Sequence, residues 1–455
     1  MDPLSLKEIA EMSGAKILRG DGHKKVSRIS KDTRTIVPGD LYVALRGDNF
    51  DGNLFAAEAG ARGAAAALVD DASTVSGLPD EFPVLLAASG LDALTRLAAA
   101  WRSRLKLTVL CITGSNGKTS TKEFAAAVLA PRFHVLKTEG NLNNHIGVPL
   151  SNLSADASHT AAVWEIGMNH PGEIAPLAAL AKPDAAIITN IGVAHIEYLK
   201  TREAIAAEKS ALAEAVTHEG FVVLSAEDDQ SDFIASRTKA RVVRAGLSSG
   251  SITADSLVES AEGCSFVVRV DGRAFPTSIA CNGAHMVRNA LLAVAAGIEL
   301  GISPEDAVSG LPQTRLAGGR LQYRVIRGIS FLDDTYNANP DSMVAALSTL
   351  RALPGTGRRI AVLGRMGELG SYELEGYRRT GSAAGKTADI LITVGAESAP
   401  MADAAREAGL GRVHEVDDTA SASLMLDNLA RPGDVVLVKG SRSARMESVL
   451  KHFEE

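Results

Sequence analysis

The stretch CITGSNGKTSTKE, residues 111–123, carries the residue types of a phosphate-binding loop. Its spacing, Gly114-x-x-Gly117-Lys118-Thr119, is two residues shorter than that of a Walker loop. The glycines let backbone amides approach phosphate oxygens, and Lys118 adds a positive charge. Thr119 can hold a magnesium ion. The stretch therefore predicts a loop that binds nucleotide phosphates.

Polar side chains follow two apolar runs further along the chain. Glu165 ends the run AAVWE, and His195 follows AAIITNIG. Active sites of parallel sheets collect at the carboxyl ends of strands, so Glu165 is a candidate magnesium ligand. Taken alone, Glu165 could instead pair with a lysine, and a lone histidine such as His195 is more often a satisfied structural residue. These alternatives stay open at this point.

Lys209 lies on the apolar side of a predicted helix, TREAIAAEKSALAEAV, in which Ile205, Leu212 and Val216 recur at helical spacing. One interpretation is a lysine whose stem packs while its ammonium reaches water. The other is a buried amine with a lowered pKa, which can add carbon dioxide and become a carbamate, an anionic oxygen ligand. The sequence does not decide between them.

Asparagines occur in two further loops that could contact substrates. Asn141 and Asn144, in GNLNNHIGVPL, are possible amide donors to a phosphate, although asparagine is also an ordinary turn former. Asn337 and Asn339, in DDTYNANPDS, can hydrogen-bond a peptide group.

The stretch VKGSR near the C-terminus predicts an anion-binding loop. Lys439 and Arg442 follow an apolar strand, and Ser441 lies at a predicted helix start with free backbone amides. The alternative is that Lys439 and Arg442 only cap the sheet or pair with Glu447.

Composition restricts the class of protein that presents these residues. The chain has 455 residues, of which 46% are hydrophobic and 22% charged, as in globular proteins of several domains. A net charge of −7 and 4% aromatic residues argue against a nucleic-acid partner. Three widely spaced cysteines, no signal peptide and no apolar run of about 18 residues predict a cytoplasmic protein without membrane insertion. We therefore expect small-molecule partners.

The pattern of apolar runs predicts an α/β fold of three domains. Residues 1–88 should form a small N-terminal α/β domain. Strands alternate with helices over residues 89–316, which predicts a central P-loop-type domain with a mostly parallel sheet covered by helices on both faces. The alternation restarts after TRLAGGRL, so residues 317–455 should form a doubly wound, Rossmann-like domain.

Eight stretches together resemble the ATP-dependent Mur ligase family, in the order in which that family has them. They are TGSNGKTS, EGNLNNHIGVP, EIGMNHPGEI, NIGVAHIEYL, AEKS, DDTYNANPDSM, MGELG and VKGSRSARME. The resemblance covers nearly the whole chain. It implies a ligase of peptidoglycan synthesis in which the γ-phosphate of ATP passes to a substrate carboxylate, giving an acyl phosphate that an amine attacks.

The resemblance also implies roles for individual residues. Catalysis would involve Lys118, Glu165, His195 and Lys209. Thr119 and Glu165 would hold one magnesium ion, and His195 with a carbamate of Lys209 would hold a second. His285 and Asn289 match the adenine side, Asp334 and Tyr336 match positions near the ribose, and Arg320 matches an arginine near the phosphates. The ATP site would comprise Gly114, Ser115, Asn116, Gly117, Lys118, Thr119, Ser120, His285, Asn289, Arg320, Asp334 and Tyr336.

The stretches YNAN and KGSR resemble the family member that joins D-alanyl-D-alanine to UDP-N-acetylmuramoyl-tripeptide. The residue at the third position of the tripeptide, diaminopimelate or lysine, stays open, and we expect a monomer. The stretch ISKDTRTIVPGDLYVALRGDNFDG resembles the uridine-diphosphate-binding part, although Arg34 and Arg46 could be solvated surface charges. Implied substrate contacts are Ser30, Thr33, Arg34, Arg46, Gly47, Asn141, Asn144, Asn337, Asn339, Lys439, Ser441 and Arg442.

The chain departs from the family pattern at three positions, Met286, Arg365 and Tyr377, where the family often has asparagine, aspartate and histidine. Two other functions remain open. One is a related ligase that adds a different amino acid to a muramoyl peptide or a folate-like acceptor. The other is a nucleotide-dependent switch that hydrolyses ATP slowly, whose phosphate release would need neither an acceptor peptide nor an amine.

Overall fold

The computed structural model describes residues 1–454. Its backbone contacts divide the chain into two compact units. The first unit comprises Met1–Cys111, Phe133–Met168 and Glu173–Asp184; the second comprises Ile112–Arg132, Asn169–Gly172 and the chain from Ala185 onward. The three domain ranges deduced from the sequence stay a prediction.

The described chain alternates strands and helices along most of its length. The strands are β1 Leu4–Ser5, β2 Lys16–Arg19, β3 Lys25–Val26, β4 Ile29–Ser30, β5 Leu41–Val43, β6 Arg46–Gly47, β7 Phe50–Asp51, β8 Ala66–Val69, β9 Val84–Leu86, β10 Thr108–Thr113, β11 Val135–Lys137, β12 Ala161–Glu165, β13 Ala185–Ile188, β14 Phe221–Ser225, β15 Arg241–Ala245, β16 Ile252–Ser260, β17 Gly263–Val270, β18 Arg273–Ile279, β19 Gln322–Ile326, β20 Ile329–Asp334, β21 Arg359–Leu363, β22 Ile390–Val394, β23 Val413–Val416 and β24 Val435–Lys439. The α-helices are α1 Leu6–Ser13, α2 Ala56–Ala61, α3 Gly90–Arg104, α4 Lys118–Leu129, α5 Gly147–Ser154, α6 Ile174–Ala181, α7 Ile196–Leu199, α8 Arg202–Glu214, α9 Ser231–Arg237, α10 Ala284–Glu299, α11 Pro304–Ser309, α12 Pro340–Ala352, α13 Glu373–Thr387, α14 Ala399–Glu407, α15 Thr419–Leu429 and α16 Glu447–Glu454.

The first unit contains a five-stranded sheet in the order β2-β9-β8-β5-β4. The pairs from β9 to β4 are parallel, and β2 joins antiparallel. Strand β8 is buried along its whole length, as expected for the centre of a sheet whose apolar run is continuous. In the same unit, β11 pairs in parallel with β12, which ends at Glu165.

The second unit contains two sheet regions. In one, β13, β14, β15 and β16 pair in parallel in that order, and β16, β17 and β18 continue as antiparallel neighbours. The other is a six-stranded sheet in the order β19-β20-β24-β21-β22-β23, parallel except for β19. Apolar side chains of these strands, such as Phe331, Ile360 and Val436, form its buried core. The mixed α/β fold class is confirmed.

Strands β16 to β18 had not been predicted, although the sequence carried a signal for them. Asp271 and Gly272, both with positive φ, form the two-residue turn that joins β17 to β18. An Asp-Gly pair between alternating apolar residues is typical of a hairpin, and such a short connection can join only antiparallel strands.

In residues 1–454, none of the helices is both long enough and apolar enough to cross a bilayer.

Candidate active site

The phosphate loop lies between β10 and α4, where the sequence predicts it. Gly117 caps α4 with a left-handed φ of 80°, a conformation that L side chains rarely adopt. A Cβ atom at Gly117 would also lie 2.6 Å from Asn289 Nδ2, and one at Gly114 would overlap Thr189 Oγ1. Glycine is therefore needed at both positions for steric reasons, and the loop packs directly on Asn289.

Hydrogen bonds to neighbouring residues and within the loop fix its conformation. Ser115 N donates to the Asn190 carbonyl at 2.9 Å, and Thr189 Oγ1 donates to the Asn116 carbonyl at 2.5 Å. Lys118 Nζ folds back to the Gly114 carbonyl at 2.9 Å. These contacts fix the conformation of the loop at the start of α4, where backbone amides can bind an anion. The side chains of Ser115, Thr119 and Ser120 are buried around it.

His195 lies at the start of α7 with a left-handed φ of 63°. Its Nδ1 lies 2.5 Å from Glu368 Oε2. The hydrogen bond to His195 lowers the pKa of Glu368, so this carboxylate is ionised and Nδ1 is the donor. Burial lowers the pKa of His195 although Glu368 opposes this effect. In the neutral imidazole the proton is on Nδ1, where it is donated to Glu368. Nε2 then carries a lone pair, and this is the form of histidine that binds metals.

Lys209 is fully buried on α8, beside Ile205 and Leu212. Among residues 1–454, its Nζ has no hydrogen-bond partner. Burial lowers the pKa of Lys209 well below its usual value, and the charge of Lys118 adds to this effect. The interpretation of a lysine that reaches water is therefore wrong, because the amine is out of contact with solvent. A buried neutral amine without a partner fits the carbamate interpretation.

Glu165, in the first unit, ends β12 and is 2% exposed. Asn143 Nδ2 donates to its Oε1 at 2.7 Å and so orients the carboxylate. Asn144 Oδ1 accepts from the Gly147 amide at 2.9 Å at the start of α5. Asn141 lies exposed in the same loop. The stretch thus places Asn143 against Glu165, and the roles of Asn141 and Asn144 in substrate binding stay a prediction.

Residues predicted on the nucleoside side lie in the second unit. His285 is in the first turn of α10, and burial lowers its pKa to about 4. Asn289, one turn further along, is buried and donates to Met286 Sδ at 3.8 Å. The Arg320 guanidinium lies 4.0 Å from the centre of the Tyr336 ring, a cation–π contact.

The buried Lys439 forms an ion pair with the partly buried Asp334 within the six-stranded sheet. The two residues are register partners on β24 and β20, and Lys439 Nζ lies 2.5 Å from Asp334 Oδ2. The ammonium also donates to the Asn337 carbonyl at 2.9 Å. This geometry favours the alternative in which Lys439 serves the sheet, with Asp334 rather than Glu447 as its partner.

Arg442 reaches solvent, with 72% of its side chain exposed and Nη1 3.4 Å from Glu447 Oε1. Ser441 is buried, and its hydroxyl lies 3.1 Å from that of Ser443. Asn337 is exposed. Asn339 caps α12, and its Nδ2 donates to Asn116 Oδ1 in the phosphate loop at 2.7 Å. The structure thus brings Asn339 to the phosphate loop and leaves Arg442 accessible.

The predicted nucleotide-sugar residues lie on β4, β6 and the segment between them. Ser30 is buried and donates to the Asp32 carbonyl. Thr33 Oγ1 donates to Glu58 at 3.2 Å, and Arg34 pairs with Asp32 at 2.6 Å. Arg46, next to Gly47, pairs with Asp70 at 2.8 Å. Both arginines are charge-paired with neighbouring carboxylates, and their role in substrate binding stays a prediction.

The three departures from the family pattern have local partners. Met286 accepts from Asn289, Arg365 lies 3.5 Å from Glu397, and the buried Tyr377 hydroxyl accepts from the Met366 amide at 3.0 Å. Sequence reasoning missed two residues that contact the site. Glu368, in the stretch MGELG, contacts His195, and Asp341, in DDTYNANPDSM, accepts from the Val193 amide, so both lie within motifs that carry the resemblance.

Three family models match the chain in consecutive ranges. They are the Mur ligase family catalytic domain over residues 25–107, the Mur ligase middle domain over 112–297, and the Mur ligase glutamate ligase domain over 319–442. A relative from Bacillus subtilis is 35% identical over 99% of this chain and 98% of its own length. The chain belongs to the Mur ligase family.

Named Mur ligases resemble it along its full length. The Bacillus subtilis relative and one from Escherichia coli, 34% identical over 94% of this chain and 93% of its own, are both named UDP-N-acetylmuramoyl-tripeptide–D-alanyl-D-alanine ligase. A crystal structure of MurF from Acinetobacter baumannii superposes with a TM-score of 0.89 at 31% identity and covers all of both chains. A MurF ligase from Thermotoga maritima in complex with ADP has a TM-score of 0.82 at 27% identity, covering 94% of this chain and 97% of its own.

Proposed function

We propose that this Mur ligase joins D-alanyl-D-alanine to UDP-N-acetylmuramoyl-tripeptide in an ATP-dependent reaction of peptidoglycan precursor synthesis. The observation that carries the proposal is the end-to-end match to relatives of that name, which spans the phosphate loop and the C-terminal stretches alike. Both substrates are small molecules, and we expect the enzyme to act as a cytoplasmic monomer.

The phosphate loop would bind ATP through the backbone amides that precede α4 and through Lys118. A substrate carboxylate oxygen attacks the γ-phosphorus, the bond to the β-phosphate oxygen breaks, and ADP leaves. The amine of the dipeptide then attacks the acyl carbon, inorganic phosphate leaves, and the amine gives up a proton. The negative charge of the transferred phosphate must be stabilised during this reaction. Hydrogen-bond donors and positive charges that are held in place by the fold can do this.

Most of the predicted ligands would be the oxygen donors that magnesium prefers. Thr119 offers a hydroxyl, His195 an Nε2 lone pair, and Lys209 a buried amine that would become an oxygen ligand as its carbamate, while Glu165 stays a predicted carboxylate ligand. Two magnesium ions would supply charge neutralisation between the triphosphate and the attacking carboxylate. The protein's own contribution is orientation: Glu368 directs His195 and Asn143 directs Glu165.

Arg442 is the better candidate for the carboxylate of the incoming dipeptide. Lys439 is already engaged by Asp334, whereas the Arg442 side chain is largely exposed and only loosely placed against Glu447. A guanidinium can bind a carboxylate through two parallel hydrogen bonds.

The test is to incubate the protein with ATP, magnesium, UDP-N-acetylmuramoyl-tripeptide and one amine at a time, and to identify products by mass. We expect ligation with D-alanyl-D-alanine and release of phosphate only when both substrates are present. Equal efficiency with D-alanine or diaminopimelate would contradict the proposed amine. Labelling the tripeptide carboxylate with ¹⁸O tests the intermediate separately: one labelled oxygen should appear in the released phosphate.

A further inference from the structure

The loop that carries His195 is held by the start of α12. We call residues 190–195 the histidine loop and residues 339–341 the NPD segment, after its sequence Asn-Pro-Asp. Both lie in the second unit, but they are separated by almost 150 positions in the chain. The histidine loop follows β13, and the NPD segment begins α12 beside the six-stranded sheet.

Asp341 is the centre of this contact. Its Oδ2 accepts from the Val193 amide at 2.9 Å, and its Oδ1 accepts from Arg379 Nη1 on α13 at 2.7 Å. One carboxylate therefore joins the histidine loop to α13. Because both oxygens are used, Arg379 fixes the rotation of the carboxylate and so the direction in which Oδ2 faces Val193.

Gly192 makes this approach possible. A Cβ atom at position 192 would overlap Asp341 Oδ2, the oxygen that binds the next amide in the chain. No other atom of the described chain comes as close to that position, since the next neighbour beyond Asp341 is Asn116 Nδ2 at 3.4 Å. The close approach therefore depends on glycine at position 192 and on the carboxylate of Asp341.

Two further contacts join residues after position 339 to the phosphate loop and to the histidine loop with the helix that follows it. Asn339 donates to Asn116 of the phosphate loop at 2.7 Å. Glu368 binds His195 through its side chain, and its carbonyl accepts from the Glu197 amide at 3.2 Å. Segments from residue 339 onward therefore contact both the phosphate loop and the histidine loop.

We propose that Asp341, oriented by Arg379, is a positioning residue that fixes the histidine loop, and with it His195, against the NPD segment. The consequence is that the phosphate loop and His195 reach the geometry needed for catalysis only when the start of α12 is packed against the histidine loop. This inference deepens the proposed function and rests on it for its kinetic part, but its structural part concerns one amide and requires no substrate.

The first experiment measures residue-resolved hydrogen–deuterium exchange in a peptide that covers residues 186–199. In Asp341→Ala the Val193 amide should exchange about tenfold faster, because it loses its hydrogen-bond acceptor. The Ile191 amide, which donates to Asp228 at 2.7 Å, is an internal reference in the same peptide and should not change. Unchanged exchange at Val193 would overturn the proposal whatever the substrate of the enzyme is.

The second experiment compares Arg379→Ala with Arg378→Ala. The two arginines are neighbours on α13, similarly exposed, and each is paired with a carboxylate, but Arg378 binds Glu407 instead of Asp341. For ATP-dependent ligation, Arg379→Ala should lower kcat about fivefold to tenfold with KM for ATP changed less than about twofold, and Arg378→Ala should change neither. Equal effects of the two variants, or a rise in KM alone, would overturn the positioning role.

The third experiment uses the fit at Gly192. Gly192→Ala should lower kcat at least about tenfold, because its methyl group displaces the carboxylate. In the Asp341→Ala background the same change should cost less than about twofold, since the clashing oxygen is gone. Additive losses would show that Gly192 acts independently of Asp341. Asp341→Asn, which keeps an acceptor oxygen of the same shape, should retain more activity than Asp341→Ala; if it retains no more, the proposal fails.

Discussion

At the scale of single residues, Lys209 is the most informative side chain in the second unit. An amine buried in this way is held neutral, because an uncompensated ammonium in an apolar setting is costly. Simple core packing would be served better by an aliphatic residue. The burial therefore favours a chemical role for the amine over a packing role, and the carbamate stays a prediction.

Replacing Lys209 with arginine should abolish ligation, with a loss of at least about a thousandfold in kcat. Arginine keeps a long stem but cannot become an anionic oxygen ligand. Steady-state kinetics measure the loss, and ¹³C NMR with labelled bicarbonate should show a carbamate signal in the parent protein only. Near-normal activity of Lys209→Arg would remove the carbamate hypothesis.

Arg442 should contribute to dipeptide binding and not to ATP binding. Arg442→Gln removes a carboxylate partner, so KM for D-alanyl-D-alanine should rise about tenfold or more while KM for ATP changes less than about twofold. Arg445→Gln, an exposed arginine three residues along the same loop, is the matched control. If both variants act alike, or if both KM values rise together, Arg442 has no specific role.

At the scale of elements, the strand, loop and helix from β10 to α4 owe their shape to two glycines. Gly117 needs both a positive φ and the absence of a side chain, because Asn289 of α10 packs against it. The loop therefore couples the start of α4 to α10, which also carries His285.

Gly117→Ala should weaken ADP binding at least about tenfold, a loss of about 1.4 kcal/mol, as measured by titration calorimetry. The added methyl group must displace Asn289 in addition to the strain of a left-handed alanine, which costs about 1 kcal/mol. Gly409→Ala is the control for strain alone: this glycine has a φ of 97°, and a Cβ atom there would meet open space. We expect it to lower stability without affecting ADP affinity. Comparable ADP affinity in the two variants would contradict the packing argument.

At the scale of the whole molecule, stability should depend on pH through His285. Burial lowers the pKa of His285 to about 4, so the folded protein takes up a proton at lower pH than the unfolded chain, whose histidine titrates near its ordinary value of about 6.5. The associated stability is present above pH 6.5 and is lost as the pH falls toward 4. It amounts to about 2–3 kcal/mol.

Urea unfolding at pH 7 and pH 4.5 measures this effect. The parent protein should lose more free energy of unfolding over this interval than His285→Gln, which has no imidazole to protonate. His218→Gln changes an exposed histidine after α8 and should behave like the parent protein. An unchanged pH dependence in His285→Gln would show that the imidazole is not kept neutral by the fold.

Local patterns predicted much of the architecture and part of the site. The apolar strand before Gly114, the helix that begins at Lys118 and the position of Lys209 on the apolar side of α8 all follow from residue spacing within one or two turns of chain. The Asp-Gly turn at residues 271–272 is also a local signal, and it predicts the hairpin of β17 and β18. Such features are readable from sequence because backbone conformation and amphipathic periodicity are decided by neighbouring residues.

The sequence by itself thus determined which residues can bind phosphate and that Lys209 lies on an apolar helix face, but only the tertiary structure decided that its amine is buried and how residues are paired. His195 meets Glu368 across 173 positions, Val193 meets Asp341 across 148, and Lys439 is taken by Asp334 across 105. These partners depend on strand order, register and the seating of helices. The physical reason is that charge pairing selects among many similar carboxylates, and only packing brings one of them within reach.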